Sequence, residues 1–399
     1  MSKNHTVTTV SNYTLSESSR GIIPSVMTNV LKWTNQPDII SFAGGMPDPK
    51  LFPLEKITEA AQKIAKDSGH VILQYSTAKG HKGLREFFAG HFNKKGINTN
   101  EEEIIPVCGV QQGIYLSAKL LMNNGDKILI AGPSYFGALE AFDSFLPQYL
   151  TIPLTEDGFD LKELERIFKI ERPKFFYVVT NFQNPSGISI PEEQRPIIAE
   201  LAVKYNIPII EDDVFGDLYF EKPLKPLKVY APEHVIYLTS LSKTLSAGFR
   251  IGFIVPPKHL VEKFILTKQL SDVSLNTYVQ YLAYEICKNG TFERLLKELR
   301  ERYKERRDAM LDALEKNMKT KARWTYPKGG LFLWLYLKDK KTNTKKLLES
   351  CAQNKLVFLH GAAFFPHGKG GDSELRLSYS NLPPDKIHEG IKILAEHIK

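Results

Sequence analysis

The sequence predicts an α/β protein: a mostly parallel sheet flanked by helices, with a smaller α+β unit assembled from the two ends of the chain. Three observations lead there. Between about Phe52 and Ser271, apolar runs of strand length alternate with segments of helical periodicity, the rhythm of successive βαβ units. Those runs end repeatedly in turns rich in Gly, Ser and Asn, and in a parallel sheet such turns gather at the strands' carboxyl ends, where ligands bind. From about Tyr303 the order changes to glycine turns and short strands, as in Trp324–Leu337, Val357–Gly361 and Glu374–Tyr379. The expected division is an arm and part of the small domain in residues 1–50, a large domain in 51–302, and the small C-terminal domain in 303–399. No internal repeat is visible.

Bulk properties narrow the class. With 399 residues, 42% hydrophobic and 25% charged, the chain has ordinary globular composition and enough length for a sizeable core. Cys108, Cys287 and Cys351 are odd in number and widely spaced, which suits neither a disulfide framework nor a metal site. The opening Met1-Ser-Lys-Asn-His5 lacks the apolar core of a secretion signal, so a cytoplasmic protein without metal is expected. A net charge of +8 raises the question of nucleic acid. The basic residues are scattered, however, and the densest run, Arg294 to Arg323, mixes acids with bases as a solvated helical face does. No apolar run reaches the ~20 residues of a membrane span.

Taken in order, Val26, Val30 and Trp33 mark one face of a short helix before Pro37. The strand Ile39–Phe42 runs into Gly44-Gly45, which is either a tight turn or a place where backbone lies close against a ligand. Helix-like sequence from Leu54 to Asp67 leads to a polar loop, Leu73–Gly80, that contains Tyr75. The stretch Glu103–Gly113 reads as strand, glycine turn, then helix through Met122. A helix opening after Gly109 offers free N–H groups near Val110 and Gln111 to a phosphate, although ordinary strand-to-helix turns look the same. The strand Lys127–Ile130 ends near Tyr135 and Phe136, either of which could stack on a flat ring or pack in the core. Phe175–Thr180 is a buried strand followed by the turn Asn181–Gly187, and Ile207–Phe215 ends a strand in three acids, Glu211, Asp212 and Asp213. Further on, Phe292, Leu295, Leu296, Leu299, Tyr303 and Met310 form a core-facing helical stripe.

The stretch around which these elements are organised is Tyr237–Gly252. Its start, with Val235 and Ile236, is a buried strand, and the Ser/Thr/Gly run that follows leaves Lys243 in a turn among Ser240, Ser242 and Thr244. An amine so placed is partly desolvated, which lowers its pKa and suits it to Schiff-base formation with an aldehyde. Arg250 with the nearby hydroxyls provides for a phosphate dianion, so one segment could hold both ends of pyridoxal phosphate.

Ser240-x-Ser242-Lys243 with Gly248-x-Arg250-x-Gly252 resembles the cofactor-lysine motif of fold type I pyridoxal-phosphate aminotransferases. Ile40-Ser-Phe-Ala-Gly-Gly-Met-Pro47 and Leu73-Gln-Tyr-Ser76 are most similar to the branch containing 2-aminoadipate and kynurenine aminotransferases, and the likeness runs from about Ser19 to the C-terminus. It implies a seven-stranded large domain and a homodimer with shared sites, acting on amino acids and 2-oxo acids. By resemblance, Lys243 is the catalytic amine, Asp212 faces the pyridine nitrogen, and Tyr135 stacks on the ring. Asn184, in the Asn-Pro-Ser-Gly element, serves cofactor and substrate. Ser240, Ser242, Arg250 and the amides near Val110 and Gln111 hold the phosphate, joined by Tyr75 from the other subunit. Arg376 and Gly45 receive the substrate carboxylate.

Two departures matter. Phe215 stands where most relatives have a tyrosine that donates to the cofactor phenolate, and losing that donor should raise the proton affinity of the neighbouring imine. Thr28 stands where 2-aminoadipate-type relatives carry a basic residue, with Arg20 nearby, so aromatic and aliphatic amino acids are as plausible as acidic ones. Two other classes remain open: an oxidase or lyase on the same scaffold, and a non-catalytic effector sensor, which in known regulators follows a winged-helix domain and here would have some forty residues before Gly44.

Overall fold

The computed structural model describes residues 14–22, 24–26, 28 and 38–398. Val30 and Trp33 of the expected N-terminal helix lie outside them. Thirteen strands follow among the described residues: β1 Ile40–Ser41, β2 Ile105–Cys108, β3 Lys127–Gly132, β4 Gln148–Pro153, β5 Phe176–Val179, β6 Ile209–Asp212, β7 Val235–Ser240, β8 Ile251–Val255, β9 Ala322–Trp324, β10 Phe332–Leu337, β11 Leu356–Val357, β12 Leu359–His360 and β13 Glu374–Ser378.

The central sheet has seven strands in the order β2-β8-β7-β6-β5-β3-β4. All its pairings are parallel except those of β8, which is antiparallel to both β7 and β2. Parallel strands need crossovers, and helices such as Gly109–Leu121 and Gln194–Tyr205 supply them. Because helices cover both faces, the strands are apolar on both sides. Ile128, Ile130, Tyr177, Val179, Ile210 and Ile236 enter one core. Their sequence neighbours Leu129, Phe176, Val178, Ile209 and Val235 enter a second core across the sheet.

A four-stranded antiparallel sheet, β12-β13-β10-β9, and the short pair β1-β11 carry the C-terminal part, with β1 contributed by the N-terminal segment. The stripe from Phe292 to Met310 is buried, as its periodicity predicts, on one continuous helix Thr291–Met318. That helix runs through position 303, the expected division between the large and small domains.

Candidate active site

One edge of the central sheet collects the chemistry. Parallel strands present their carboxyl ends together, and β8, running the opposite way, presents its start on the same edge. Asp212 ends β6, Asn184 follows β5, and Tyr135 follows β3. Lys243 closes a short turn after β7, Arg250 immediately precedes β8, and Val110 and Gln111 open the helix after β2. Together with Gly45, Ser240, Ser242 and Arg376 they line one cavity of about 210 Å³.

Lys243 is half-buried, and its Nζ donates to the Gly45 carbonyl at 2.7 Å. Burial lowers its pKa to about 8, helped by the charges of Arg376 and Arg250, so the amine is far more available as a base than a surface lysine. Asp212 is 1% exposed. Burial pushes its carboxyl up to about 7, the Tyr177 hydroxyl pulls it down, and the charge of Asp213 pushes it up again. Tyr177 Oη donates to Asp212 Oδ2 at 2.8 Å, while Oδ1 has no hydrogen-bond partner among the described residues.

The flanking acids are occupied elsewhere, as strand alternation predicts. Glu211 accepts from the Thr180 hydroxyl and from the backbone N–H groups of Leu227 and Lys228. Asp213 accepts from Lys95 Nζ at 2.8 Å, Tyr237 Oη at 2.8 Å and Asn181 Nδ2 at 2.6 Å.

Arg376, in the middle of β13, is 1% exposed and stacks over Phe332 at 4.2 Å and Phe364 at 5.1 Å. Its Nη1 donates to Asn184 Oδ1 at 2.8 Å and its Nη2 to the Ala43 carbonyl, while Nε is buried without a partner among the described residues. Burial pulls its pKa down to about 9, still on the charged side of neutrality. Tyr135 is half-buried, and desolvation followed by the charge of Asp212 raises its phenol to about 12, so it is the neutral phenol that faces the cavity.

Beside Val110 and Arg250 of the cavity lining, the backbone comes unusually close. A Cβ on Gly252 would stand 2.7 Å from the Gly109 carbonyl carbon and 2.8 Å from the Val110 nitrogen, so glycine is what brings β8 against the helix N-terminus. Gly109 has φ +71° and Arg250 φ +54°. The Arg250 side chain is exposed, and among the described residues its hydrogen bond is the long one to the Cys108 carbonyl at 3.5 Å. Ser240 Oγ lies 2.8 Å from Ser242 Oγ and accepts from the Ser242 N–H at 3.0 Å. A helix N-terminus, two hydroxyls and a loosely held guanidinium form an anion cradle.

Of the residues that the resemblance assigns to cofactor or substrate, Tyr75 is the one not found in the cavity lining: it stands 86% exposed at the surface of this chain. Sequence reasoning passed over Tyr177, Phe332, Met46, Val179 and Val214. Tyr177 carried a usable signal, since it and Val179 sit on one face of β5 against Ile210 and Asp212 of β6. Phe332 carried none, because it arrives from the other sheet.

The residues fit pyridoxal phosphate on two structural grounds. The orphaned Oδ1 of a buried carboxylate calls for an N–H donor, which a protonated pyridine nitrogen supplies. The anion cradle lines the same cavity, and so does Lys243. Among the described residues, no cluster of His, Cys, Asp or Glu could hold a metal ion, and no helix is long and apolar enough to cross a membrane.

A sheet of this topology with a desolvated lysine, a buried acid and an anion cradle at its carboxyl edge defines a pyridoxal-phosphate enzyme of amino-acid chemistry. The comparisons narrow the class. Residues 37–394 match the family described as aminotransferase class I and II, and the chain belongs to that family. It is 38% identical over 380 residues to a 2-aminoadipate transaminase of Thermus thermophilus, covering 94% of each chain. It is 36% identical over 392 residues to aromatic-amino-acid aminotransferase 1 of Thermococcus litoralis, covering 96% of this chain and 94% of that one. A crystal structure of alpha-aminoadipate aminotransferase from Thermus thermophilus, complexed with N-(5'-phosphopyridoxyl)-L-leucine, superposes with a TM-score of 0.89 at 36% identity, covering 96% of each chain. The protein is thus a pyridoxal-phosphate-dependent transaminase.

Proposed function

We propose that the protein moves the amino group of an aromatic, aliphatic or 2-aminoadipate-like L-amino acid to a 2-oxo acid such as 2-oxoglutarate, in two half-reactions at the cavity around Lys243. The observation that carries this reading is the convergence on one cavity of an amine with a pKa of about 8, an orphaned carboxylate oxygen and an orphaned guanidinium N–H.

Each residue has a chemical task. Arg376 and Asn184, already joined at 2.8 Å, take the substrate α-carboxylate and set the orientation of Cα. Lys243 removes the Cα proton and returns it on the other side of the transfer, a role that requires a neutral amine near pH 7 to 8. The Gly45 carbonyl steadies that amine. Asp212 holds the pyridine nitrogen, Tyr135 packs against the ring, and the cradle of Val110, Gln111, Ser240, Ser242 and Arg250 takes the phosphate. When bound, the cofactor supplies an electron-withdrawing ring and a carrier for the amino group.

The homodimer belongs to the same proposal. Tyr75 and Leu73, each 86% exposed, project from a loop tied to residue 277 by the bond from the Thr277 hydroxyl to the Gln74 carbonyl, and Leu270 nearby in sequence is 85% exposed. Apolar side chains so exposed suit burial against a second copy, to whose phosphate cradle Tyr75 would then donate. The cytoplasmic setting expected from the sequence completes this reading.

Replacing Lys243 by Ala tests it. The expected variant shows no Schiff-base absorbance with pyridoxal phosphate, takes no borohydride label and gives essentially no turnover; retention of label on another lysine would overturn the assignment. Phe215, whose ring meets Phe332 edge-on at 5.6 Å and offers the cavity no hydroxyl, is the feature that favours the oxidase or lyase alternative. Oxygen consumption without a 2-oxo acid acceptor would establish an oxidase instead.

A further inference from the structure

Asp212 is one of three consecutive buried acids, and the only one of them with an orphaned carboxylate oxygen. Among the described residues, the side chain that bonds this carboxylate is Tyr177, outside the cavity lining, and the backbone N–H of Val214 also favours its charged form. Tyr177, on β5, is completely buried, and its ring meets Phe142 edge-on at 5.3 Å and 76°. Packed in that way the ring has one orientation, and its hydroxyl reaches Asp212 Oδ2 at 2.8 Å. A carboxylate turns about its terminal torsion with little hindrance, so without that bond either oxygen, or neither, could face the ring nitrogen.

We infer that Tyr177 is a positioning residue of this site: its hydroxyl fastens Asp212 by Oδ2, so that Oδ1 is the oxygen aimed into the cavity and held there before cofactor arrives. The inference rests on the proposed pairing of Asp212 with the pyridine nitrogen. The hydroxyl also favours the ionised form of Asp212, since it donates to the charged state. Other charged or titratable groups act on Asp212 from the surrounding elements. Glu211 and Asp213 flank it in its own chain segment and raise its proton affinity, and Tyr135 couples to it from the end of β3. Lys243, Arg250 and Arg376 line the same cavity. Asp213 is matched by Lys95 at 2.8 Å, and Glu211 by a hydroxyl and two backbone N–H groups.

The variant Tyr177→Phe keeps the ring and its contact with Phe142 and removes only the hydroxyl. The probe is apo-protein titrated with pyridoxal phosphate and, separately, with the analogue whose ring nitrogen is replaced by carbon, with binding followed by protein fluorescence between pH 6 and 9. Loss of one hydrogen bond to a charged group corresponds to roughly a tenfold weaker affinity for pyridoxal phosphate. The pH below which affinity falls should move upward in the variant. The carbon analogue makes no bond to Asp212, so wild type and variant should bind it alike.

Equal affinity of the two proteins for pyridoxal phosphate, with an unchanged pH midpoint, would overturn the inference. So would an equal loss towards both probes, because that is the signature of a structural role. If the variant unfolds, the wild-type comparison of the two probes still decides: equal binding of both leaves Oδ1 without its partner and removes the ground for positioning it. Failure of the wider functional reading looks different, since wild type itself would then not form a Schiff base at Lys243.

Discussion

Arg376→Lys isolates the geometry of the carboxylate site from its charge. In the wild type, two of the guanidinium N–H groups are committed to Asn184 Oδ1 and the Ala43 carbonyl, and the plane is fixed by stacking on Phe332 at 4.2 Å. The buried Nε–H has no partner and remains, with the other Nη hydrogens, for an incoming carboxylate. An ammonium has three donors and no plane, so it cannot serve Asn184, Ala43 and both carboxylate oxygens at once. One charge-assisted hydrogen bond of the fork is lost, about 1.5–3 kcal/mol, or about 10- to 150-fold in affinity. The groups that move protons are untouched, so the loss should appear in KM for the amino acid, with kcat changed only a few-fold. The assay is the single half-reaction, followed by the absorbance change as amino acid is added to the cofactor-loaded enzyme. A KM within about threefold of wild type, or a fall in kcat alone, would refute a carboxylate role for Arg376.

Three further predictions follow from the same site. Lys243 titrates near 8 in the folded apo-protein against 10.5 unfolded, so the unfolded chain binds more protons between those values; the apo-protein should therefore gain stability as pH rises from about 8 to about 10.5, and Lys243→Met should abolish that part of the slope in urea unfolding. An identical slope in the variant would contradict the desolvated amine. Phe215→Tyr, by restoring a donor near the cofactor phenolate, should lower the pH at which the absorbance of the loaded lysine titrates, and an unchanged titration would remove the significance given to Phe215. Gly252→Ala places a methyl 2.7 Å from the Gly109 carbonyl carbon, so β8 or the helix N-terminus must shift; a stability loss of about 1–3 kcal/mol and weaker binding of pyridoxal phosphate are expected. Wild-type binding by a destabilised variant would show that the close approach serves packing alone.

How much of this was legible in the sequence depended on how local each contact is. The strand-turn-lysine run around Lys243, the glycine turn at Gly109 and the acid at Asp212 are each readable within a dozen residues, because a parallel sheet must place such turns at one edge. Tyr177 lies 35 residues from the acid it fastens, and only the pairing of β5 with β6 brings them together. Phe332, whose ring supports Arg376 and meets Phe215, comes from a different sheet altogether. The suggested division at 302/303 falls inside one helix, for a physical reason already present in the pattern. The buried stripe Phe292 to Met310 keeps helical spacing straight through it, and one helix has no reason to stop where its buried face continues.

The three acids show how little separates a structural carboxylate from a functional one. Glu211 and Asp213 share one face of the strand run and Asp212 the other, so periodicity alone divides them two against one. It does not say which face is functional; partners do. An acid matched by Lys95, Tyr237 and Asn181 has its donors from protein and can accept little more, and one matched by a hydroxyl and two backbone N–H groups is likewise occupied. Asp212 has a donor on one oxygen and none on the other, in a place where an unmet acceptor costs about 1–3 kcal/mol. An unmet acceptor left at the carboxyl edge of the sheet suits a donor from outside the chain, and in the proposed reading a protonated ring nitrogen is a donor of the right charge.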